Sequence, residues 1–277
     1  FYNVILGTDY NINPLNVITL SGHFAYEIED EYSDTHYDSR DENNQSTGAS
    51  DRNEVTEATN PKYQYDLSYK KSFANNKDRS LTASFVGSYF GKDQSSEYKN
   101  IAIFGDFKDL LQRTTNDYSQ ANYSFQTDYV HPFSKISELE SGVKYEINDI
   151  SNDYELLDQS NNAWVSNPDF TNVFHYDQRV LAAYTTYAYE LQKFGLKVGL
   201  RVENTNLSTF LQTTNVDNNI NYNNVFPSVH SSYKISDELS LQMGYSKRIH
   251  RPRMWDLNPF TSISDNLNRR TGNPELQ

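Results

Sequence analysis

Apolar and polar residues alternate with a period of two along most of the chain, which is typical of β-strands whose two faces meet different surroundings. Near the N-terminus the apolar positions are Ile18, Leu20, Phe24, Tyr26 and Ile28, and the positions between them are mostly polar. Strands of transmembrane barrels alternate in this way, because one face contacts lipid and the other faces the lumen. The pattern predicts an all-β chain built from antiparallel hairpins.

The alternating segments predict about ten strands. They span residues 1–10, 17–32, 63–73, 80–98, 118–132, 138–155, 173–191, 196–212, 223–233 and 239–249. Many exceed the 9–11 residues that a tilted strand needs to cross a bilayer, so we expect them to project beyond the membrane on one side. Strands of soluble sandwiches are usually about five or six residues long. The expected fold class is therefore a transmembrane antiparallel up-and-down β-barrel.

Short and long polar connectors alternate between these segments. The short turns lie near 11–16, 74–79, 134–137, 192–195 and 234–237. The long polar stretches, which we predict to be loops, are 33–62, about 100–117, 158–171, 213–221 and the tail after 250. Outer-membrane barrels have short periplasmic turns and longer extracellular loops, so this sorting by length favours a barrel.

The composition supports a membrane barrel and excludes several other classes. Mean hydropathy is −0.80, yet 14% of the residues are aromatic, and 22 of them are tyrosine. A disordered chain would be poor in aromatic residues, whereas barrels concentrate them at the membrane interfaces. No apolar stretch is long enough for a transmembrane helix. We expect the bacterial outer membrane as the location.

The chain offers little for catalysis, metal binding or nucleic-acid binding. Cysteine is absent, and the net charge of −13 is the wrong sign for a nucleic-acid partner. The six histidines lack metal-ligand spacing, and neither a nucleophile elbow nor a phosphate-binding glycine loop is present. Ser228 and His230 share the polar face of one strand, a common arrangement without special meaning. We predict no enzyme activity, no catalytic residue, no cofactor and no metal site.

An ordered set of short motifs near the C-terminus carries a family resemblance. Gly244-Tyr-Ser-Lys-Arg248 is followed by Arg251-Pro252, by Leu257-Asn-Pro-Phe260 and by Gly272-Asn-Pro-Glu-Leu276. This succession resembles the barrel of TonB-dependent outer-membrane receptors, particularly the Bacteroidetes-type outer membrane protein beta-barrel family. Upstream of about 220 the chain resembles that family only in the rhythm of its hairpins.

The resemblance implies energised uptake of a scarce, bulky solute such as a metal chelate, a glycan or a peptide. It also implies a plug domain and TonB as partners, and a surface lipoprotein in some systems, besides outer-membrane lipid and lipopolysaccharide. Two alternatives are a passive porin or structural barrel within a larger envelope assembly, and a surface-exposed adhesin or hydrolase barrel.

We predict one domain: residues 1–277 form a segment of one transmembrane β-barrel. Charged residues on the polar faces suit a wide, watery lumen better than a narrow barrel packed with side chains. An open sheet edge also lacks hydrogen-bond partners in lipid. We expect the intact gene to encode a signal peptide, a plug and roughly another half barrel.

The residues around the end of the last predicted strand are unusually basic for an acidic chain. They are Arg248, His250, Arg251, Arg253 and the aromatic Trp255. One hypothesis is that these side chains contact a plug or an anionic ligand from the barrel wall. The alternative is that they pair with carboxylates in the lumen or with lipopolysaccharide phosphates.

Overall fold

The computed structural model describes residues 1–258, 271–273 and 276, and most of this part of the chain lies in strands. The strands are β1 (Tyr2–Asn13), β2 (Asn16–Arg40), β3 (Ser46–Phe73), β4 (Asn76–Phe104), β5 (Leu110–Ser134), β6 (Ser137–Ser160), β7 (Ala163–Ser166), β8 (Asn172–Glu190), β9 (Phe194–Leu211), β10 (Val216–Lys234) and β11 (Ser240–Ser246). The ten predicted strands correspond to all of these except β7, a four-residue strand that the sequence did not predict.

All pairings in the sheet are antiparallel, and each strand pairs with the next one in sequence except at β7. The short β7 folds back on the end of β6, and β8 pairs with the rest of β6. This confirms the predicted up-and-down barrel wall. Within the described residues the sheet is open, because β1 pairs only with β2 and β11 pairs only with β10.

The register places the predicted apolar positions of neighbouring strands side by side. Phe85 of β4 is opposite Leu67 of β3 and Phe125 of β5, and Val202 of β9 is opposite Val225 of β10. A slip of one residue would move every apolar side chain to the wrong face, so the hydrophobic pattern specifies this register. We call the face that carries these residues the outer face and the opposite one the inner face.

The predicted long loops are mostly wrong, since the structure extends the strands through them. β2 continues to Arg40 and β3 begins at Ser46, so only 41–45 connect them within the stretch predicted as a loop over 33–62. In the same way β4 and β5 are joined by 105–109, and β9 and β10 by 212–215. The stretch 158–171 contains β7 and its turn.

The physical reason for this difference is that neither face of the extensions contacts lipid. Alternation of apolar and polar residues disappears when neither face contacts lipid, although the ladder hydrogen bonds continue. The turns themselves are tight, and asparagines supply their left-handed residues. Asn161 and Asn162 between β6 and β7 have φ of 50° and 60°, as a type I′ hairpin turn requires.

After β11 the chain leaves the sheet and forms one helical turn, α1 (Met254–Leu257). In the described part of the chain no helix has the length and apolar character to cross a membrane. Residues 259–270, 274, 275 and 277, which include parts of the Leu-Asn-Pro-Phe and Gly-Asn-Pro motifs, lie outside the described residues.

Hydrogen–deuterium exchange of the membrane-embedded parent protein separates strand from loop in the polar extensions. We expect slow amide exchange through 46–60 and 94–104, because ladder hydrogen bonds protect these amides, and fast exchange at 41–45 and 105–109. Fast exchange throughout 33–62 would instead favour the long loop.

Candidate functional site

The outer face carries a continuous belt without Asp, Glu, Lys or Arg. Its outward positions, every second residue, lie within 18–28 of β2, 59–69 of β3, 81–91 of β4, 119–129 of β5, 137–147 of β6, 181–189 of β8, 194–202 of β9 and 225–233 of β10. Many of these side chains are large, apolar and exposed, including Phe24, Phe125, Val143, Leu181 and Leu200. The belt is about as tall as the 9–11 residues that span a bilayer.

The side of the belt toward the strand extensions ends at a row of outward carboxylates. Several of these face one another across neighbouring strands: Asp30 with Glu57, Asp93 with Asp117, and Asp149 with Asp177. Like charges directly opposite each other are destabilising, and a charge within hydrocarbon costs much more. The row therefore marks where the outer face passes from lipid into water.

The inner face is mostly polar, and in the extensions its side chains bond across strands. Thr56 Oγ1 lies 2.6 Å from Ser96 Oγ. Arg52 donates from Nη1 to Asn100 Oδ1 at 3.0 Å and stacks over the Tyr98 ring, with its Cζ 4.2 Å from the ring centroid. Burial raises the pKa of the Tyr98 hydroxyl. These side-chain contacts connect the strands of the extensions in addition to the ladder hydrogen bonds.

The chain beyond β11 turns inward and packs on this wall. Met254 and Leu257 of α1 are buried in an apolar cluster with residues of four strands: Tyr118 of β5, Ile150 of β6, Phe174 and Tyr176 of β8, and Leu207 of β9. The Trp255 ring stacks on Tyr118, with centroids 5.9 Å apart and an interplanar angle of 11°. We call residues 251–257 the inner segment.

An ion pair joins the inner segment to β9. Glu203 accepts a hydrogen bond from Arg251 through one carboxylate oxygen, and the other oxygen lies 2.5 Å from Arg201 Nε. The Glu203 side chain is only 7% exposed and that of Arg251 21%, so solvent screens this pair weakly. Burial of the Glu203 carboxylate is offset by the bonds that it accepts from Arg201 and Arg251.

The predicted basic residues therefore fall into two groups. Arg251 pairs with Glu203 and also donates to Thr205 Oγ1 at 3.2 Å, and Tyr176 donates to the carbonyl of Pro252 at 3.4 Å. Arg248, His250 and Arg253 have exposed side chains that make no ion pair within the described residues, and Trp255 is half exposed beside them.

Sequence reasoning did not identify Glu203, Tyr118 and Tyr176 as the docking site of this segment. Arg251 and Glu203 are separated by 48 positions, and only the register of the sheet brings them together. The signal available in the sequence was the charged face of β9, which carries Glu203 next to Arg201 and Lys197.

The Gly-Asn-Pro motif has a packing explanation in its described part. The Gly272 N–H donates to the Asn258 carbonyl and the Asn273 N–H to the Asp256 carbonyl, both at 2.7 Å. A Cβ on Gly272 would lie 2.5 Å from the Asn258 carbonyl oxygen, closer than atoms can approach. Glycine is therefore required where the chain returns to α1.

Ser228 and His230 both lie on the inner face of β10, opposite Ser246 and Gly244 of β11, and no hydrogen bond joins them. Within residues 1–258, 271–273 and 276, no group of three or more His, Asp or Glu side chains is arranged to hold a metal ion.

The lipid belt, the polar inner wall and the up-and-down topology together define a wall of a bacterial outer-membrane β-barrel. A family model described as the outer membrane protein beta-barrel family matches residues 71–277, and the chain belongs to this family. The family predicted from the C-terminal motifs is thus confirmed, as is the location in the outer membrane. A search of curated proteins finds no match.

Three solved structures are similar to this chain in part of their length. The ferric-catecholate import receptor Fiu from E. coli K12, in its closed form, has 12% identity and a TM-score of 0.42, over 88% of this chain and 49% of that one. The unliganded ferric citrate transporter FecA has 10% identity and a TM-score of 0.36, over 85% of this chain and 42% of that one. The ferric yersiniabactin uptake receptor FyuA from Yersinia pestis has 9% identity and a TM-score of 0.35, over 85% of this chain and 43% of that one. This chain thus spans less than half the length of each.

A charge placed in the belt should destabilise the barrel. Val143 is 52% exposed on the outer face near mid-belt, and Val143→Arg should cost about 2–4 kcal/mol of folding free energy in lipid vesicles. The neighbouring Lys144→Arg, on the inner face, serves as the control and should change stability by less than about 0.5 kcal/mol. Equal effects in urea titrations would contradict the assignment of faces.

Cysteine labelling tests the docking of the inner segment in the parent protein. This chain has no cysteine, and Leu257 is fully buried, so Leu257→Cys should react slowly with a soluble maleimide. Adding Glu203→Gln should accelerate labelling about tenfold, because charged hydrogen bonds to the segment are lost.

The matched control for this labelling experiment is Glu97→Gln, which removes the exposed partner of Arg113. It should leave the reactivity of the introduced thiol unchanged. Rapid labelling of the Leu257→Cys variant with Glu203 intact would show that the segment is not docked.

Proposed function

We propose that this chain is the barrel section of an energised import receptor of the TonB-dependent type, which takes up a scarce, bulky solute. The observation that carries the proposal is the polar inner wall with a chain segment folded onto it. Charged and amide side chains line this wall, and a hydrated lumen accommodates them at less cost than a packed interior.

The open sheet supports the domain organisation in this proposal. In the described residues β1 and β11 each present one edge without a partner strand, and hydrocarbon offers no hydrogen bonds to such an edge. We propose that further strands of the parent protein pair with these edges and complete a larger barrel. A plug domain in the same protein would then close the lumen.

The exposed basic residues of the region after β11 suit a role in this lumen. Arg248 and Arg253 carry charges that the described wall does not neutralise, His250 is exposed beside them, and Trp255 is half exposed. We propose that they contact the plug or an anionic group of the solute. The role is non-enzymatic in this proposal, with TonB, lipopolysaccharide and a surface lipoprotein as further partners.

Uptake assays in a deletion strain test the proposal. Strains lacking the gene that encodes this chain should lose accumulation of one solute among ferric chelates, oligosaccharides and peptides, and the wild-type gene should restore it. Accumulation should also stop when TonB is removed or a protonophore is added, because energised transport needs the proton gradient.

Uptake that persists without TonB and without the gradient would contradict the proposal and indicate a passive pore. Replacing Arg248 and Arg253 by Gln should lower uptake several-fold at equal barrel abundance. Arg113→Gln is the control, because Arg113 lies on the outer face and pairs with Glu97.

A further inference from the structure

The belt ends on the short-turn side at two outward basic residues, Lys71 of β3 and Arg79 of β4. This side carries the two-residue turns between β1 and β2, β3 and β4, and β5 and β6. In outer-membrane barrels the short turns face the periplasm. Lys71 and Arg79 therefore lie where the hydrocarbon meets the periplasmic headgroups.

Aromatic rings hold both cations against the outer face. The Arg79 guanidinium carbon lies 4.4 Å from the centroid of Phe73 and 5.5 Å from that of Tyr129. Arg79 Nε donates to the Tyr129 hydroxyl at 2.6 Å, which orients the guanidinium. Lys71 Nζ lies 5.3 Å from the Phe73 centroid on the same patch. The Arg79 guanidinium is thus oriented by its contacts, and the exposed Lys71 ammonium lies on the same ring.

Two further rings complete this patch. His131 Nδ1 lies 3.1 Å from the Tyr129 hydroxyl, and the Phe133 ring meets the His131 ring edge-on at 4.7 Å. Phe133 is exposed toward the membrane side. Aromatic side chains with a polar edge are enriched at this depth in membrane proteins, where they contact the headgroup and glycerol region.

The patch lacks a counter-ion within the described residues. Neither Lys71 nor Arg79 forms an ion pair there, and the outward positions of 69–83, 127–133 and 137–141 carry no carboxylate. The arginines of the outer face at the other border differ, because Arg113 pairs with Glu97 and Arg179 with Asp177. Within residues 1–258, 271–273 and 276, no carboxylate pairs with Lys71 or Arg79, so their partner anion has to come from outside this part of the chain.

We propose that Lys71, Phe73, Arg79 and Tyr129 form a binding site for the phosphate of an anionic phospholipid in the periplasmic leaflet. The guanidinium fork can bind two phosphate oxygens, the ammonium adds a point charge, and the rings contact the glycerol and the first methylenes. The chain as a whole has a net charge of −13 and repels anionic lipid. Retention of such a lipid therefore requires a local site. This site is independent of any transport role.

Native mass spectrometry of the full-length parent protein tests the proposal, with phosphatidylglycerol as the probe. The wild type should retain one phosphatidylglycerol molecule at detergent concentrations that strip phosphatidylcholine. The combined variant Lys71→Gln and Arg79→Gln should bind it at least about tenfold more weakly, because two charged contacts are lost. Arg179→Gln, the same residue type on the same face but paired with Asp177, should retain it as the wild type does.

Several results would overturn the proposal. Equal retention by the wild type and the double variant would exclude the site, and an equal loss in Arg179→Gln would indicate general electrostatics. Inorganic phosphate that displaces the lipid at micromolar concentration would indicate a free-phosphate site. Folding is checked by heat-modifiable migration on gels, and Lys71→Gln alone, which touches only Phe73, should still weaken retention several-fold if Arg79→Gln fails to fold.

Discussion

The hydrocarbon interior of a bilayer offers hydrogen bonds neither to peptide groups nor to charges, and the rest of this structure depends on that constraint. The long antiparallel ladders satisfy the peptide groups from strand to strand. The outer face excludes charged residues over the height of the membrane and regains them at both borders. Acidic residues such as Asp93 and Asp117 return on the side of the extensions, and Lys71 and Arg79 return on the side of the short turns.

The inner face follows a different rule, because it can hold water and polar groups. Side chains such as Thr56, Ser96 and Arg52 bond across the strands of the extensions, and the inner segment adds an apolar cluster and an ion pair to the same wall. Glu203 is shared by two arginines, so the segment is attached through a charge that already belongs to the wall. The inner face is therefore covered partly by chain that is not strand.

The sequence predicted the fold wherever two faces of a strand meet different solvents. Leu20 and Phe24 were predicted to share the apolar face of one strand, and the register places them on the outer face opposite Leu67 and Tyr63 of β3. The same reasoning failed at Ser46–Glu57 and at 99–104, which are strands beyond the lipid belt, where neither face contacts lipid. Apolar and polar residues alternate only where the two faces of a strand contact different surroundings, and the two faces of these extensions do not differ in this way.

The candidate site was likewise predictable from the sequence only in part. Composition and motif order alone identified the basic stretch after β11, the outer-membrane location and the family. They could not separate Arg251, which the wall neutralises, from Arg248 and Arg253, which it does not, because the partner carboxylate lies 48 positions away on β9.

The local pattern of the sequence thus determined the faces of the strands and the lipid belt, since each residue's preference for lipid or water is its own property. The tertiary structure decided how far the strands extend, where the chain turns inward and which charges are left without a partner. Those outcomes depend on the pairing register, which brings distant residues together and which no single segment contains.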